Sequence, residues 1–239
     1  MKNIILLATN ALILLVFATC SEPEVTLDQE RPDNIIPTTV RSETLQNIKN
    51  MFPEQKNTQE SLPELFEVTA EKRIILSRTS EVYVTFVSEG ASFQNSFGYY
   101  TYNKNSIPTD TSMLDLHILF PNVDGWKLKQ GDMLQVGNST FPAGTVIGFF
   151  LIVKGWESQT VHYDREKIFT DIGFNTLGDQ QHILFKLKNF GDIILSFEDI
   201  LDSAPGYHDY DFNDIIFTVS DNRNNREVSN FNHDNVVKL

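Results

Sequence analysis

From Lys72 onward the chain falls into short runs of β-branched and aromatic residues separated by Gly, Asn, Asp and Pro, the pattern of strands and turns. "EVYVTFV" (81–87) alternates, placing Val82, Val84 and Phe86 on one face and Tyr83, Thr85 and Val87 on the other. "LDLHILF" (114–120) and "HILFKLK" (182–188) behave similarly, the latter setting Ile183, Phe185 and Leu187 against Lys186 and Lys188. One face of these strands is expected in a core and the other in water. "TVIGFFLIV" (145–153) is apolar without alternation, as befits a central strand covered on both sides. Turns are expected at Asp124-Gly125, Gly131-Asp132 and Pro142-Ala143-Gly144. Eight to ten strands at this spacing, with no sustained helical period after residue 65, predict a single all-β domain over residues 66–222, a β-sandwich or jelly roll.

The flanks read differently. Residues 1–19 are a signal peptide by pattern: Lys2, an apolar stretch from Ile4 to Ala18 interrupted by Thr9-Asn10, and too few residues to span a bilayer. The following Cys20 is the only cysteine, and Phe17-Ala18-Thr19-Cys20 resembles a bacterial lipoprotein box. That resemblance implies lipidation of Cys20, export, and a protein tethered to the outer membrane or cell surface; an ordinary cleaved signal is the alternative. With Cys20 acylated no disulfide is possible, so the fold must hold without one. Residues 20–65 contain Pro23, Pro32, Pro37, Pro53 and Pro63 among polar residues, with one helical pattern, Leu45, Ile48 and Phe52, after Ser42. They are expected to form a flexible stalk with at most a short helix. Residues 223–239, rich in asparagine, are expected to be disordered or at best a loosely docked strand.

Charge narrows the partners. Removing residues 1–19 takes only Lys2, leaving 18 bases against 32 acids, a net of −14. Such a surface repels phosphate backbones, so no nucleic acid is expected as a partner, and cations are.

The acids are not evenly spread. Between Asn189 and Asn222 stand eight carboxylates and no lysine or arginine. Two carboxylates about 5 Å apart at an effective dielectric near 20 repel by roughly 3 kcal/mol, so a folded cluster needs protonation, distance or a cation. Outside the cell calcium is the available hard cation, and Asp, Glu, Asn and carbonyl oxygens satisfy it. Asp209, Asp211 and Asn213 recur at every second residue as in the first half of an EF-hand loop, but Asp214 and Ser220 stand where that loop needs glycine and glutamate. Residues two apart on a straight strand are about 6.6 Å apart, too far for one ion, so 206–213 should curl, with Asp214 opening the next strand. Glu198-Asp199, ending "DIILSF", is the natural complement from the neighbouring strand. On residues alone, a solvated acidic loop without an ion stays open, because Asp and Asn are the commonest turn residues.

"FEDILDSAPGYHDYDFNDIIFTVS" (197–220) resembles the signature of the bacterial surface module known as domain of unknown function 4114 (DUF4114): Phe-Glu-Asp-Leu, a variable loop, Asp-x-Asp-(Tyr or Phe)-Asn-Asp and a hydrophobic strand. "VTFVSEGASFQNSFGYYTY" (84–102) and "FPAGTVIGFFLIVKGW" (141–156) are similar to blocks of the related LruC-type exported proteins. The resemblance implies an exported β-rich domain ligating calcium through Glu198, Asp199, Asp209, Asp211, Asn213 and Asp214. Our own expectation is a non-enzymatic surface module in adhesion, glycan binding or envelope assembly, with glycans or cell-surface proteins as partners; a structural β-domain whose acidic loop holds no ion is the alternative, and a carbohydrate-active hydrolase a third.

Other chemistry is thinner. Glu89 could complete the ion shell or touch a ligand, or simply start the turn at Gly90. Trp126, Trp156, Phe149, Phe150, Tyr99, Tyr100 and Tyr102 could form a sugar-stacking platform, but aromatics at strand spacing are expected in the core; Trp126, after a turn, is the one expected exposed and able to contact a ligand. The five histidines lack zinc spacing. A carbohydrate-active hydrolase could pair Glu198 with Asp211, but carboxylates bound to a metal cannot also titrate as acid and base. No nucleophile elbow or phosphate loop is present.

Overall fold

The structure, a computed structural model, describes residues 29–200, 208–226 and 228–239. The chain begins with β1 (Ile36–Pro37), α1 (Ser42–Met51), α2 (Thr58–Ser61) and β2 (Ile74–Ile75). The main strands follow: β3 (Tyr83–Glu89), β4 (Asn95–Asn103), β5 (His117–Val123), β6 (Asp132–Gln135) and β7 (Thr145–Ile152). After a small hairpin, β8 (Trp156–Glu157) with β9 (Thr160–Val161), come β10 (Lys167–Phe169), β11 (His182–Lys186), β12 (Ile193–Phe197), β13 (Ile215–Ser220) and β14 (Val237–Lys238).

Two sheets pack face to face. The first runs β1-β6-β3-β13-β12-β11-β14 and the second β10-β7-β4-β5, with β2 also paired to β7. Every pairing is antiparallel except β11 with β14. The core between them draws Val84, Phe86, Leu195 and Phe217 from one sheet and Phe97, Phe149 and Leu151 from the other. At its centre the Phe97 and Phe217 rings stack with centroids 4.1 Å apart. This is the all-β, sandwich-like class expected from the strand pattern.

β7 is buried along its whole length, as its unbroken apolar run required. Phe149 and Leu151 enter the inter-sheet core, while Phe150 and Ile152 join Tyr100, Trp156 and Phe169 in a layer on the outer side of the second sheet. The first alternating strand departs from expectation, because both its faces are covered: Tyr83, Thr85 and Val87 are as buried as Val82, Val84 and Phe86. Val87 joins Ile216 and the apolar face Ile183, Phe185 and Leu187 in another apolar layer with Val40, Ile48, Phe52 and Leu65.

Those last four residues belong to the segment expected to be a flexible stalk. The helix predicted from Leu45, Ile48 and Phe52 exists as α1, but residues 29–66 are laid over the outer face of the first sheet instead of standing away from it. The folded unit therefore reaches well before residue 66. What the linker reading could not register is a buried polar anchor: Thr44 donates its hydroxyl to Asp192, and the Asp192 Oδ1 has no hydrogen-bond partner of its own. Arg41 stands 3.8 Å away and Arg31 clasps Asp132 at 2.9 Å. Replacing Thr44 by isosteric valine leaves the Asp192 carboxylate buried with one partner fewer, so it should cost about 1–3 kcal/mol. Urea unfolding would read this as a lowered midpoint; an unchanged midpoint would mean that α1 contributes nothing through this contact.

The carboxy-terminal tail is likewise folded. Val228, Phe231 and Val236 enter the inter-sheet core, and β14 adds a parallel edge strand to β11. Among the described residues no helix is long and apolar enough to cross a membrane. Residues 1–28, with the expected signal and Cys20, lie outside the described residues.

Candidate metal centre

β12 and β13 are neighbours in register, Phe197 opposite Ile215, and both are fully buried. Glu198-Asp199 continues one strand past the end of this ladder and Asp214 precedes the other. The backbone N–H of Asp199 donates to Asp214 Oδ2 at 2.8 Å, closing the ladder with a side chain.

Before Asp214 the chain curls as expected. Tyr210 and Phe212 both adopt left-handed backbone, φ +52° and +56°. Non-glycine residues enter that region at a cost of about 1–2 kcal/mol each, so the surroundings must hold them there. They do. Phe212 is fully buried with its ring 5.2 Å from Phe66, and the Tyr210 carbonyl accepts from the Thr58 N–H at 2.7 Å. The aromatic anchors alternate with acids, so fixing Tyr210 and Phe212 also fixes Asp209 and Asp211.

One oxygen each from Glu198, Asp209 and Asp211 lies within 4.8 Å of the others. Glu198 and Asp211 are only 4% and 1% exposed. Asp211 accepts from the Gln55 N–H at 2.8 Å and from the Asn213 N–H at 3.3 Å, and Glu198 accepts from the Phe212 N–H. None of the described lysines and arginines forms a salt bridge with these three acids.

Burial first, and then the charges of Asp211, Asp209 and Asp199, push the Glu198 carboxyl up to about 8. Asp211 is raised chiefly by burial, against the Gln55 N–H that favours its charge. Ligand oxygens on opposite sides of a calcium ion are about 5 Å apart, so the three carboxylates fit one such ion. A cation there would hold all three in their ionised form.

Of the six expected ligands, Glu198, Asp209 and Asp211 come together. Asp199 and Asp214 make a pair of their own: Asp199 Oδ2 accepts from Asn95 at 2.8 Å, and both carboxyls are raised, first by burial. Lys154 offsets part of that rise at Asp199, a base brought in from outside the acidic stretch. Asn213 donates to the Phe52 carbonyl at 3.4 Å and rests its Oδ1 beside Gly90.

Glu89 and Trp126 share one turn: Glu89 Oε2 accepts from the Gly125 N–H at 3.1 Å, and Asp124 accepts from the Trp126 N–H at 2.7 Å. Trp126 is 93% exposed, as expected of a residue after a turn. Tyr99, Tyr100, Phe149, Phe150 and Trp156 are buried, and Tyr102 is partly buried against the outer layer of the second sheet.

Sequence reasoning missed Gln55, Thr58 and Asn95, which position the acids through hydrogen bonds. Asn95 lies inside the 84–102 block and could have been singled out there. Gln55 acts through its backbone and carries no side-chain signal at all.

No curated protein and no solved structure matches the chain. Its amino-terminal block at 84–102 falls outside the span that a family model does match. Over residues 141–222, from the turn before β7 to just past the end of β13, the chain matches the family described as a domain of unknown function, DUF4114, the family its carboxylate loop resembles.

Proposed function

We propose that this chain is a non-enzymatic calcium-binding surface module, with its ion held by Glu198, Asp209 and Asp211 at one end of the sandwich. The observation that carries this reading is the convergence of three carboxylate oxygens within 4.8 Å while Glu198 and Asp211 are almost wholly out of water. A merely solvated loop would leave its charges in solvent, where repulsion is weak. Buried like charges call for a counter-charge. Backbone carbonyls of the curl and water would supply further oxygens, and the ion's role is to pin the β12–β13 end to the segment carrying Gln55 and Thr58.

Export and a lipid anchor at Cys20 belong to the same proposal, and rest on the apolar stretch from Ile4 to Ala18 and the cysteine that follows. Adhesion, glycan binding or envelope assembly is the role such a module serves; the exposed Trp126 gives it an aromatic face for a sugar or protein surface. A hydrolase is disfavoured because Glu198, the acid it would use, is 4% exposed and bonded into its own loop.

Calorimetric titration of the chain from residue 21 with calcium should give one strong site, and the same protein on a glycan array should bind only with calcium and lose binding on Trp126→Ala. No heat on calcium addition would sink the metal reading. Array binding that is indifferent to calcium would separate recognition from the ion.

A further inference from the structure

Residues 53–62 lie against the carboxylate curl and are fixed at both ends. On one side α1 is anchored by Thr44 on Asp192; on the other Leu65 is buried, its carbonyl accepting from the Gln180 amide at 3.1 Å. Between these anchors only Thr58 is buried, with Leu62 packing in part against the apolar layer beneath. What holds the segment down is hydrogen bonding to the curl. Thr58 donates its N–H to the Tyr210 carbonyl at 2.7 Å and its hydroxyl to the Asp211 carbonyl at 3.0 Å, and the Gln55 N–H reaches Asp211 Oδ2 at 2.8 Å. Gln55 is itself left-handed, φ +62°, and its bond joins it to the residue between the left-handed Tyr210 and Phe212. Costly backbone on both sides of the contact is thus kept in place by a few bonds and little apolar burial. That is the makeup of a segment that opens locally while the core stays folded.

From this geometry we infer that residues 53–62 are a gate on the metal centre, which calcium must open to enter and to leave. Asp209 is half-buried and can meet an ion from solvent, but Glu198 and Asp211 are buried, and Asp211 lies against the segment. An ion held by Asp209 alone completes its shell only once the cover has moved. Lifting the segment breaks the Gln55 bond to Asp211 and frees the curl; closing it sets Asp211 back beside Glu198. The gate rests on the calcium reading above and adds to it the control of exchange: the closed form holds the ion and the open form does not, so calcium and opening oppose each other.

The test uses the whole chain from residue 21, with amide hydrogen exchange followed by NMR and calcium release followed by stopped-flow mixing with a fluorescent chelator. At calcium a hundred times its dissociation constant, the Gln55 and Thr58 amides should gain about a hundredfold protection over EDTA. The Lys104 amide, bonded to Gly144 at the opposite end of β4, opens without releasing the ion and should gain none. Thr58→Val keeps the N–H bond and loses the hydroxyl, so the gate should open about fivefold more often. Calcium should then enter and leave about fivefold faster with its dissociation constant unchanged, because both steps pass through the open form. Thr58→Ser, which restores the hydroxyl, should return both rates toward the parent. The spectra themselves report whether each variant is folded. Rates unmoved by Thr58→Val, or Gln55 and Thr58 amides indifferent to calcium, would overturn the gate while calorimetry on the same sample still shows the ion bound. Absence of calorimetric binding would remove the metal reading and the gate together.

Discussion

Removing calcium from the protein should lower its thermal midpoint by about 5–10 °C. An ion present at a hundred times its dissociation constant stabilises by about 2.7 kcal/mol, and for a chain of this size each kcal/mol moves the midpoint by about 2–4 °C. Calorimetric or circular-dichroism melts in calcium and in EDTA measure the difference directly. Asp211→Asn isolates the cause, because the amide keeps an oxygen for the Gln55 N–H and removes the charge together with only the long 3.3 Å acceptor contact to the Asn213 N–H. In EDTA the variant should be at least as stable as the parent, since Asp211 no longer repels Glu198. In calcium it should lose most of the gain. A parent protein indifferent to EDTA, or a variant that keeps the full calcium shift, would leave the acids as a buried cluster with no ion.

The parts of this molecule that could be read from its sequence are those whose cause is local. β7 declared itself because every residue from Thr145 to Val153 is compatible with burial on both faces. The curl before Asp214 followed from spacing alone: acids two apart on a straight strand cannot meet one ion, and the left-handed Tyr210 and Phe212 are how the chain bends them together.

What escaped depends on distant partners. Residues 29–66 look like a linker because five prolines punctuate residues 21–65, yet Thr44 finds Asp192, 148 residues away, and Thr58 finds Asp211, 153 away. Val87 belongs with Tyr83 and Thr85 to the second face of its strand, and it is the docking of α1 and its neighbours that makes it core. Val228, Phe231 and Val236 are too irregularly spaced among asparagines to register as strand or helix, although each enters the core. The division of the six acids into a triad and a pair was equally out of reach, since it turns on Asn95 reaching across from the other sheet to Asp199.

The same burial that gathers the acids gives the metal-free protein an inverted pH response. Glu198 moves from an ordinary 4.5 to about 8 in the fold, so between those values the folded state holds a proton that the unfolded chain has released. A carboxyl raised in this way stabilises the fold below its unfolded value and loses that contribution as pH climbs through the folded one. Asp214 and Asp199 are raised in the same direction and add to the slope. His182 works from the opposite side: it is fully buried, both ring nitrogens lack hydrogen-bond partners, and burial together with Lys72 pushes it down to about 3. Its contribution is intact above about 6.5 and is lost as pH falls toward 3. Without calcium, these groups should therefore make the fold most stable at about pH 4 and cost it at least about 2 kcal/mol between pH 5.5 and pH 8.5, with each tenfold change in proton affinity counting for about 1.4 kcal/mol. With calcium the carboxylates are held ionised, protons leave as the ion binds, and the alkaline loss should disappear. Urea unfolding at pH 5.5, 7 and 8.5, in EDTA and in calcium, measures both curves. If the EDTA curve rose from pH 5.5 to 8.5, these acids would be neither buried nor mutually repelling in solution, and the physical case for a counter-ion would go with them.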